Sequence, residues 1–299
     1  MKIVLTGSLG HISKPLAANL IQNGHEVTVI SSNPERKKDI EALGAEAAVG
    51  TFEDTGFLIE TFTGADVVYT MVSAKSYFDH DFDLLAYYEQ LGRNYSEAVR
   101  QSGVKRVVNL SSIGAHLAVG NGILSGAYRV EQLLNALAGD ISITHIRPVS
   151  FFYNLYGYVP MIKSTGTISV NYGAEKMIPW VSPLDIAEAV ADEIEAAFVG
   201  RNVRYVASEE LTGHETARIL GQAIRKPELE WVLVSPEESL SDLLAAGMNK
   251  EIAAGLVEMY GALYTGLLSE DYIQNRPRVM GKVKLADFAK EFAAAFDQK

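Results

Sequence analysis

The residues Thr6-Gly7-Ser8-Leu9-Gly10-His11-Ile12-Ser13 have the spacing G-x-x-G-x-x-S. Glycines at this interval, between an apolar run and a helical pattern, make a cradle for a pyrophosphate. Gly7 permits the tight turn. Gly10 lets the backbone approach a phosphate with no Cβ in the way, and a helix beginning near Ile12 offers free N–H groups and the positive end of its dipole. The third glycine of the usual pattern, which lets helix and strand pack closely, is Ser13 here. Its two extra heavy atoms predict a slight outward shift of the helix, with the site retained. The other reading of such a glycine pair is a purely structural turn. Its place in the first strand-to-helix turn of an alternating chain favours dinucleotide binding.

The end of the second strand decides which dinucleotide. An acid there holds the ribose diol of NAD, whereas a 2′-phosphate needs the acid gone and a cation nearby. The sequence reads Ser31-Ser32-Asn33-Pro34-Glu35-Arg36-Lys37. No acid closes the strand, and Ser32, Asn33, Arg36 and Lys37 can hold a phosphate, so NADP is favoured and NAD is the alternative. Against this, Arg36 and Lys37 also read as a solvated helix start partly cancelled by Glu35.

Composition narrows the classes. Among 299 residues there is no cysteine, which excludes disulfides, thiolate nucleophiles and cysteine-ligated zinc. The net charge is −11 and the only basic cluster is Arg36-Lys37-Lys38, so no nucleic-acid groove is expected. His25, His80, His116, His145 and His214 show no metal-ligand spacing such as H-x-x-x-H, and no metal is expected. No run approaches the ~20 apolar residues of a membrane span. The apolar run Ile3–Leu5 is too short for a signal-peptide core, and the expected location is the cytoplasm.

These residues must be positioned by alternating elements. Strands are expected at Ile3–Leu5, Glu26–Ser32, Glu46–Val49, Asp66–Val72, Val104–Ser112 and Ile141–Arg147. Helices are expected at Ile12–Asn23, Pro34–Leu43, Asp54–Phe62, Asp81–Ser102 and Ser125–Leu137. Val- and Ile-rich strands separated by helical patterns mean βαβ units, hence an α/β fold with a doubly wound parallel sheet of Rossmann type. After Pro148 the rhythm breaks. The segment FFYNLYGYVP is aromatic and glycine-interrupted, and its period is that of neither a strand nor a helix. A helix over Pro183–Phe198 and a strand over Val203–Ala207 follow, with a further short strand at Glu230–Val234. The remainder is mostly helical, with apolar stripes at Ile252, Leu256, Met259, Tyr260 and Leu263, and at Leu285, Phe288, Phe292 and Phe296, which read as core. The division expected is a nucleotide-binding domain over 1–150, to which 181–207 return. A smaller, mainly helical substrate or partner domain covers 151–180 and 208–299.

The chain resembles the NmrA-like family, a branch of the atypical short-chain dehydrogenase/reductase proteins. TGSLGHIS is similar to the family's T-G-A-T-G-x-x-G and ISSNPERK to its V-R-N-P-x-K. VVNLSSIGAH matches its fifth strand, IRPVSFFYN is similar to R-P-x-x-F-x-x-N, and WVSPLDIAEAVA to W-V-D-x-x-D-I-A-x-x-V. The segment LTGHETARILGQAI and the closing DFAKEFAAAF extend the likeness to the end of the chain. The resemblance implies that Gly7, Gly10, His11 and Ile12 line the pyrophosphate. Ser32 stands where the family often has an arginine for the 2′-phosphate. Phe52 lies beside the adenine, and Met71, Val72 and Ser73 pass the ribose and phosphates. Ser111 and Ser112 sit near the nicotinamide, Phe151 and Asn154 border the substrate mouth, and Asp185 ties the late helix back to the sheet.

The same resemblance raises the question of catalysis. Standard short-chain dehydrogenases use Y-x-x-x-K, in which the lysine lowers the tyrosine pKa. If Glu131 is the glutamate that follows this lysine by four residues in extended members, the lysine position is Ala127 and the tyrosine position is Ile123. The dyad is missing, as is common among NmrA-like proteins. Ser111, Ser112 and Tyr128 are the remaining candidates near the chemistry, and His116 follows the serine pair. Two functions fit. One is an NADPH-dependent reductase of a flat acceptor such as a quinone, which needs little acid catalysis. The other is a non-catalytic NAD(P) redox sensor that acts through a protein partner. Nucleotide-sugar epimerisation is a weaker third, because it normally needs the dyad.

Overall fold

Alternate residues of the early strands are apolar on both sides, so each strand can be covered by helices above and below. The computed structural model, which describes residues 1–73, 76–197 and 199–298, shows this directly. Ile3, Leu5, Val27, Val29, Val67 and Tyr69 enter one core layer, while their neighbours Val4, Ile30 and Val68 enter another on the opposite face.

The first half runs β1 (Lys2–Leu5), α1 (Ser13–Gln22), β2 (Glu26–Ser31), α2 (Lys37–Ala42), β3 (Glu46–Val49), α3 (Thr55–Phe62), β4 (Val67–Thr70), α4 (Leu84–Ser102), β5 (Arg106–Leu110), α5 (Ser125–Asn135) and β6 (Ser142–Pro148). The second half runs β7 (Ser150–Phe151), α6 (Val159–Thr165), β8 (Thr167–Val170), β9 (Met177–Val181), α7 (Pro183–Glu195), β10 (Arg201–Val206), β11 (Glu209–Thr212), α8 (Gly213–Ala223), β12 (Glu230–Leu233), α9 (Pro236–Ala245), α10 (Lys250–Thr265), α11 (Glu270–Gln274) and α12 (Leu285–Asp297). Short 3₁₀ turns lie at Pro34–Arg36, Gly122–Leu124, Phe152–Tyr158 and Leu267–Ser269.

The main sheet has seven strands in the order β10-β6-β5-β4-β1-β2-β3, and every neighbouring pair is parallel. This is the doubly wound order, whose direction reverses between β1 and β4. Ligands of such sheets bind at that reversal, beyond the carboxyl ends of the strands. The register sets Leu5 beside both Val29 and Tyr69, and Thr70 beside Asn109. The segments that follow β1, β2, β4 and β5 therefore emerge along one edge. Two small sheets, β11-β9-β7 and β12-β8, lie in the second half.

Several boundaries differ from the sequence expectation. The helix expected from Asp81 begins at Leu84, because Asp83 caps it: its carboxylate accepts from the Ala86 N–H at 2.9 Å. The segment FFYNLYGYVP is not irregular. After β7 it forms the 3₁₀ helix Phe152–Tyr158, which buries Phe152 and Leu155, and then enters α6. Its apolar residues recur at intervals of three, the 3₁₀ period, and so match neither the strand nor the α-helical template. The late helix α7 ends at Glu195; Phe198, the expected end, lies outside the described residues.

Candidate active site

The cradle is built by internal hydrogen bonds. The buried Thr6 carbonyl accepts from the Ser13 hydroxyl at 2.9 Å, and the Thr6 hydroxyl accepts from the Met71 N–H at 2.9 Å. Ser13, in the third-glycine position, is thus seated in the joint between strand and helix. The Ser8 N–H donates to the Ile30 carbonyl at 3.1 Å, and its hydroxyl to the Ser31 hydroxyl at 2.9 Å, which pins the loop to β2. Gly7 has φ +90°, a conformation that side chains disfavour. A Cβ built on Gly7 would lie 2.5 Å from both Met71 Sδ and Ser13 Oγ. This glycine is therefore required by the protein's own packing. Gly10 differs: a Cβ there meets only the Gly7 carbonyl, at 3.1 Å, and otherwise points into open space.

Helix α1 begins beyond this loop with Ile12 in the cap position, no side-chain cap and no acid in its first turn. An anion can therefore use its N–H groups and dipole without displacing a resident carboxylate. Gly10, His11, Lys14 and Arg36 line one open cleft. Ser32 is exposed at its strand end, while the Asn33 side chain is already engaged in accepting from the Glu35 N–H at 2.9 Å. Arg36 is exposed and only loosely paired with Asp39 at 3.5 Å. Lys14 was not singled out from the sequence. Its position in the first turn of the first helix, directly after the glycine loop, is the signal that points to it.

Met71, Val72 and Ser73 are half-buried just past β4. The Met71 carbonyl accepts from the Tyr95 hydroxyl at 2.7 Å, and Phe52 lies in tilted contact with Tyr95 at 6.1 Å between ring centres. The open end of β4 is thereby fixed by α4 from behind.

At the end of β5 the Ser111 hydroxyl donates to Glu131 Oε1 at 2.5 Å. Glu131 is buried and held by Arg147 through two contacts, at 2.9 and 2.6 Å. Arg147 also reaches Asp271 at 2.9 Å, and Asp271 accepts from Tyr205 at 2.6 Å. Ser111 therefore belongs to a buried ionic network, while the neighbouring Ser112 is half-buried. Both ring nitrogens of His116 are buried without a partner among the described residues, and burial pushes its pKa below the usual imidazole range. Ile123, in the tyrosine position of the dyad, packs instead near Leu84, Ile252 and Leu256. Ala127, in the lysine position, is buried, and Tyr128 is half-buried on α5.

An aromatic wall stands against the cradle. His11 stacks on Tyr153 with ring centres 5.1 Å apart, and Tyr153 lies 5.1 Å from Phe151. Asn154, on the same 3₁₀ helix, is exposed. Phe151 and Asn154 are legible from the motif, whereas Tyr153 is not, because the 3₁₀ period that places residue 153 against His11 fits neither the strand nor the α-helical template. Asp185 is buried and accepts from the Ser208 hydroxyl at 2.5 Å and the Lys282 N–H at 2.9 Å, joining α7 to both segments.

A glycine turn with an open outer side, an uncapped helix N-terminus, a cleft with two cations and no acid at the end of β2 together fit a phosphorylated dinucleotide. Fold and site define an NAD(P)-binding Rossmann protein. Residues 7–150 match the family described as NAD(P)H-binding. An uncharacterized protein of Schizosaccharomyces pombe, C2A9.02, is 24% identical over 259 residues, 80% of this chain and 85% of its own length. The triphenylmethane reductase of Citrobacter sp., solved with NADP(H), superposes with a TM-score of 0.79 at 19% identity, covering 97% of this chain and 99% of that one. An NADPH-dependent quinone oxidoreductase of Escherichia coli, solved with NADPH, gives a TM-score of 0.79 at 18% identity, covering 97% and 99%. Among the described residues no single helix is long and apolar enough to cross a membrane.

Proposed function

We propose that the chain is a reductase of a flat acceptor of quinone type, that it uses NADPH in preference to NADH, and that it works in the cytoplasm. The observation that carries this reading is the His11–Tyr153–Phe151 aromatic wall beside a dinucleotide cradle that lacks the Tyr/Lys dyad. A planar acceptor can be held by such rings, and a quinone needs no strong protein acid. The bound nicotinamide would supply one hydride, and water one proton, to convert quinone to hydroquinone. Gly7, Gly10, His11 and Ile12 would hold the pyrophosphate, with Ser32, Asn33 and Arg36 around the 2′-phosphate. Phe52 and the segment Met71–Ser73 would border the adenosine side, and Ser111 and Ser112 the nicotinamide. Phe151 and Asn154 would edge the acceptor's entrance. The reductase and oxidoreductase relatives, both solved with the phosphorylated cofactor, support the reading.

The test is consumption of NADPH and of NADH by the purified protein with a series of quinones. The expected result is turnover well above the uncatalysed rate, faster with NADPH, and an NADPH preference that shrinks in Arg36→Ala. Tight cofactor binding without turnover would replace this reading by the redox sensor, to which the missing dyad also points, and would direct attention to a protein partner.

A further inference from the structure

The residues around the missing dyad are unusual in one respect: phenol groups from separate elements gather there. Tyr77 precedes α4, Tyr88 lies on α4 and Tyr260 on α10. All three pack, partly buried, on the small cluster of Leu84, Ile252 and Leu256, together with Ile123 from the tyrosine position of the dyad. Tyr88 lies against α5 at Gly126, immediately before the vacant lysine position Ala127. A Cβ on Gly126 would come within 2.6 Å of the Tyr88 ring. Tyr153 completes the group from the other side, stacked on His11 of the cradle. The phenols feel one another. Burial raises the Tyr88 pKa, with further contributions from Tyr77 and Tyr153, and burial followed by Tyr77 pushes Tyr153 up to about 12. Each is therefore a neutral O–H donor near pH 7. Among the described residues the hydroxyls of Tyr77, Tyr88 and Tyr153 make no hydrogen bond to the protein, and all three side chains are partly exposed. Three unengaged donors beside a dinucleotide cradle are arranged for a ligand that presents acceptor oxygens on a flat frame.

We propose that Tyr77, Tyr88 and Tyr153 determine acceptor specificity by donating hydrogen bonds to the oxygens of a planar quinone, with Tyr88 as the donor beside the positions of the absent dyad. This rests on the quinone-reductase reading of the same site and adds the residues that select for oxygen. Tyr260, stacked on Tyr172 at 4.6 Å between ring centres, packs on the same apolar cluster as Tyr77 and Tyr88.

The experiment is an equilibrium titration of the NADP⁺-loaded protein with 1,4-naphthoquinone, which cannot be reduced under these conditions, and with naphthalene as the oxygen-free frame. Tyr77→Phe, Tyr88→Phe and Tyr153→Phe remove one hydroxyl each and keep the ring, and thermal melting verifies that they remain folded. The expected result is quinone binding weakened about threefold to tenfold by each change, with naphthalene binding unaltered. Failure of the wild type to bind the quinone, or wild-type affinity in all three variants, overturns the proposal. Unchanged affinity in Tyr88→Phe alone overturns the assignment of Tyr88 as the donor. NADPH turnover is measured on the same samples: loss of the reductase reading shows as no turnover while the affinity pattern persists, which separates the two failures.

Discussion

Gly7 and His145 show how differently a single residue can be read from sequence and from structure. The sequence marks Gly7 as the glycine of the tight turn, and in the structure its missing side chain also leaves room for Met71 and Ser13. Gly7→Val is therefore expected to lower the melting temperature of the cofactor-free protein, by overpacking and backbone strain of roughly 1–3 kcal/mol. An unchanged melting temperature with lost NADPH binding would place the clash on the ligand side instead. His145 is unremarked by any spacing rule. In the fold its Nδ1 accepts from the Asn109 amide at 3.2 Å and its Nε2 contacts Asn135 Oδ1 at 3.1 Å, while Asn109 Oδ1 accepts from Thr70 at 3.0 Å. Burial holds its pKa at about 4. An imidazole depressed in the folded state binds its proton sooner when unfolded. Its contribution is complete above the unfolded value of roughly 6.5 and is lost as the pH falls towards 4, by up to about 3 kcal/mol. Denaturant titrations at pH 7 and pH 4.5 are expected to show that decline, and His145→Asn to flatten it.

At the scale of elements, capping decides where helices begin and what they hold. Asn249 caps α10 by accepting from the Glu251 and Ile252 N–H groups at 2.9 and 3.2 Å. The same side chain donates to the Asp79 carbonyl at 2.9 Å, and the Asn249 N–H donates to the Tyr77 carbonyl at 2.9 Å. One buried amide thus fastens the segment after β4 to a helix far along the chain. Asn249→Ala removes the cap and the side-chain bond to the part-buried Asp79 carbonyl, an expected loss of about 1–2 kcal/mol. Faster amide hydrogen exchange in residues 76–83 would accompany it; exchange confined to α10 would show that the loop is anchored elsewhere. The helical stripe of α10 was legible as a period of 3.6, but its partner in the 76–83 loop was not, because residues 170 apart carry no common period.

At the scale of the molecule, Arg147 joins the sheet to later elements. It reaches Glu131 on α5 and Asp271 on α11 from within β6, largely buried. Arg147→Met leaves Glu131 buried without its counter-charge, and should cost about 3–5 kcal/mol. Glu131→Gln combined with Arg147→Met should cost less than the sum of the single changes, as read by a double-mutant cycle of denaturant midpoints; strict additivity would mean that the pair is uncoupled. The sequence by itself determined the parallel Rossmann sheet, the cradle between β1 and α1 and the loss of the Tyr/Lys dyad. Each of these is written in local spacing: strand alternation, glycine intervals and the residues at Ile123 and Ala127. Only the tertiary structure decided that Lys14 shares a cleft with Arg36, that Tyr153 stacks on His11, and that Tyr77 and Tyr88 gather around the vacant dyad. Those groupings arise from packing between elements distant in the chain, where side-chain shape and strand register set the distances and sequence separation does not.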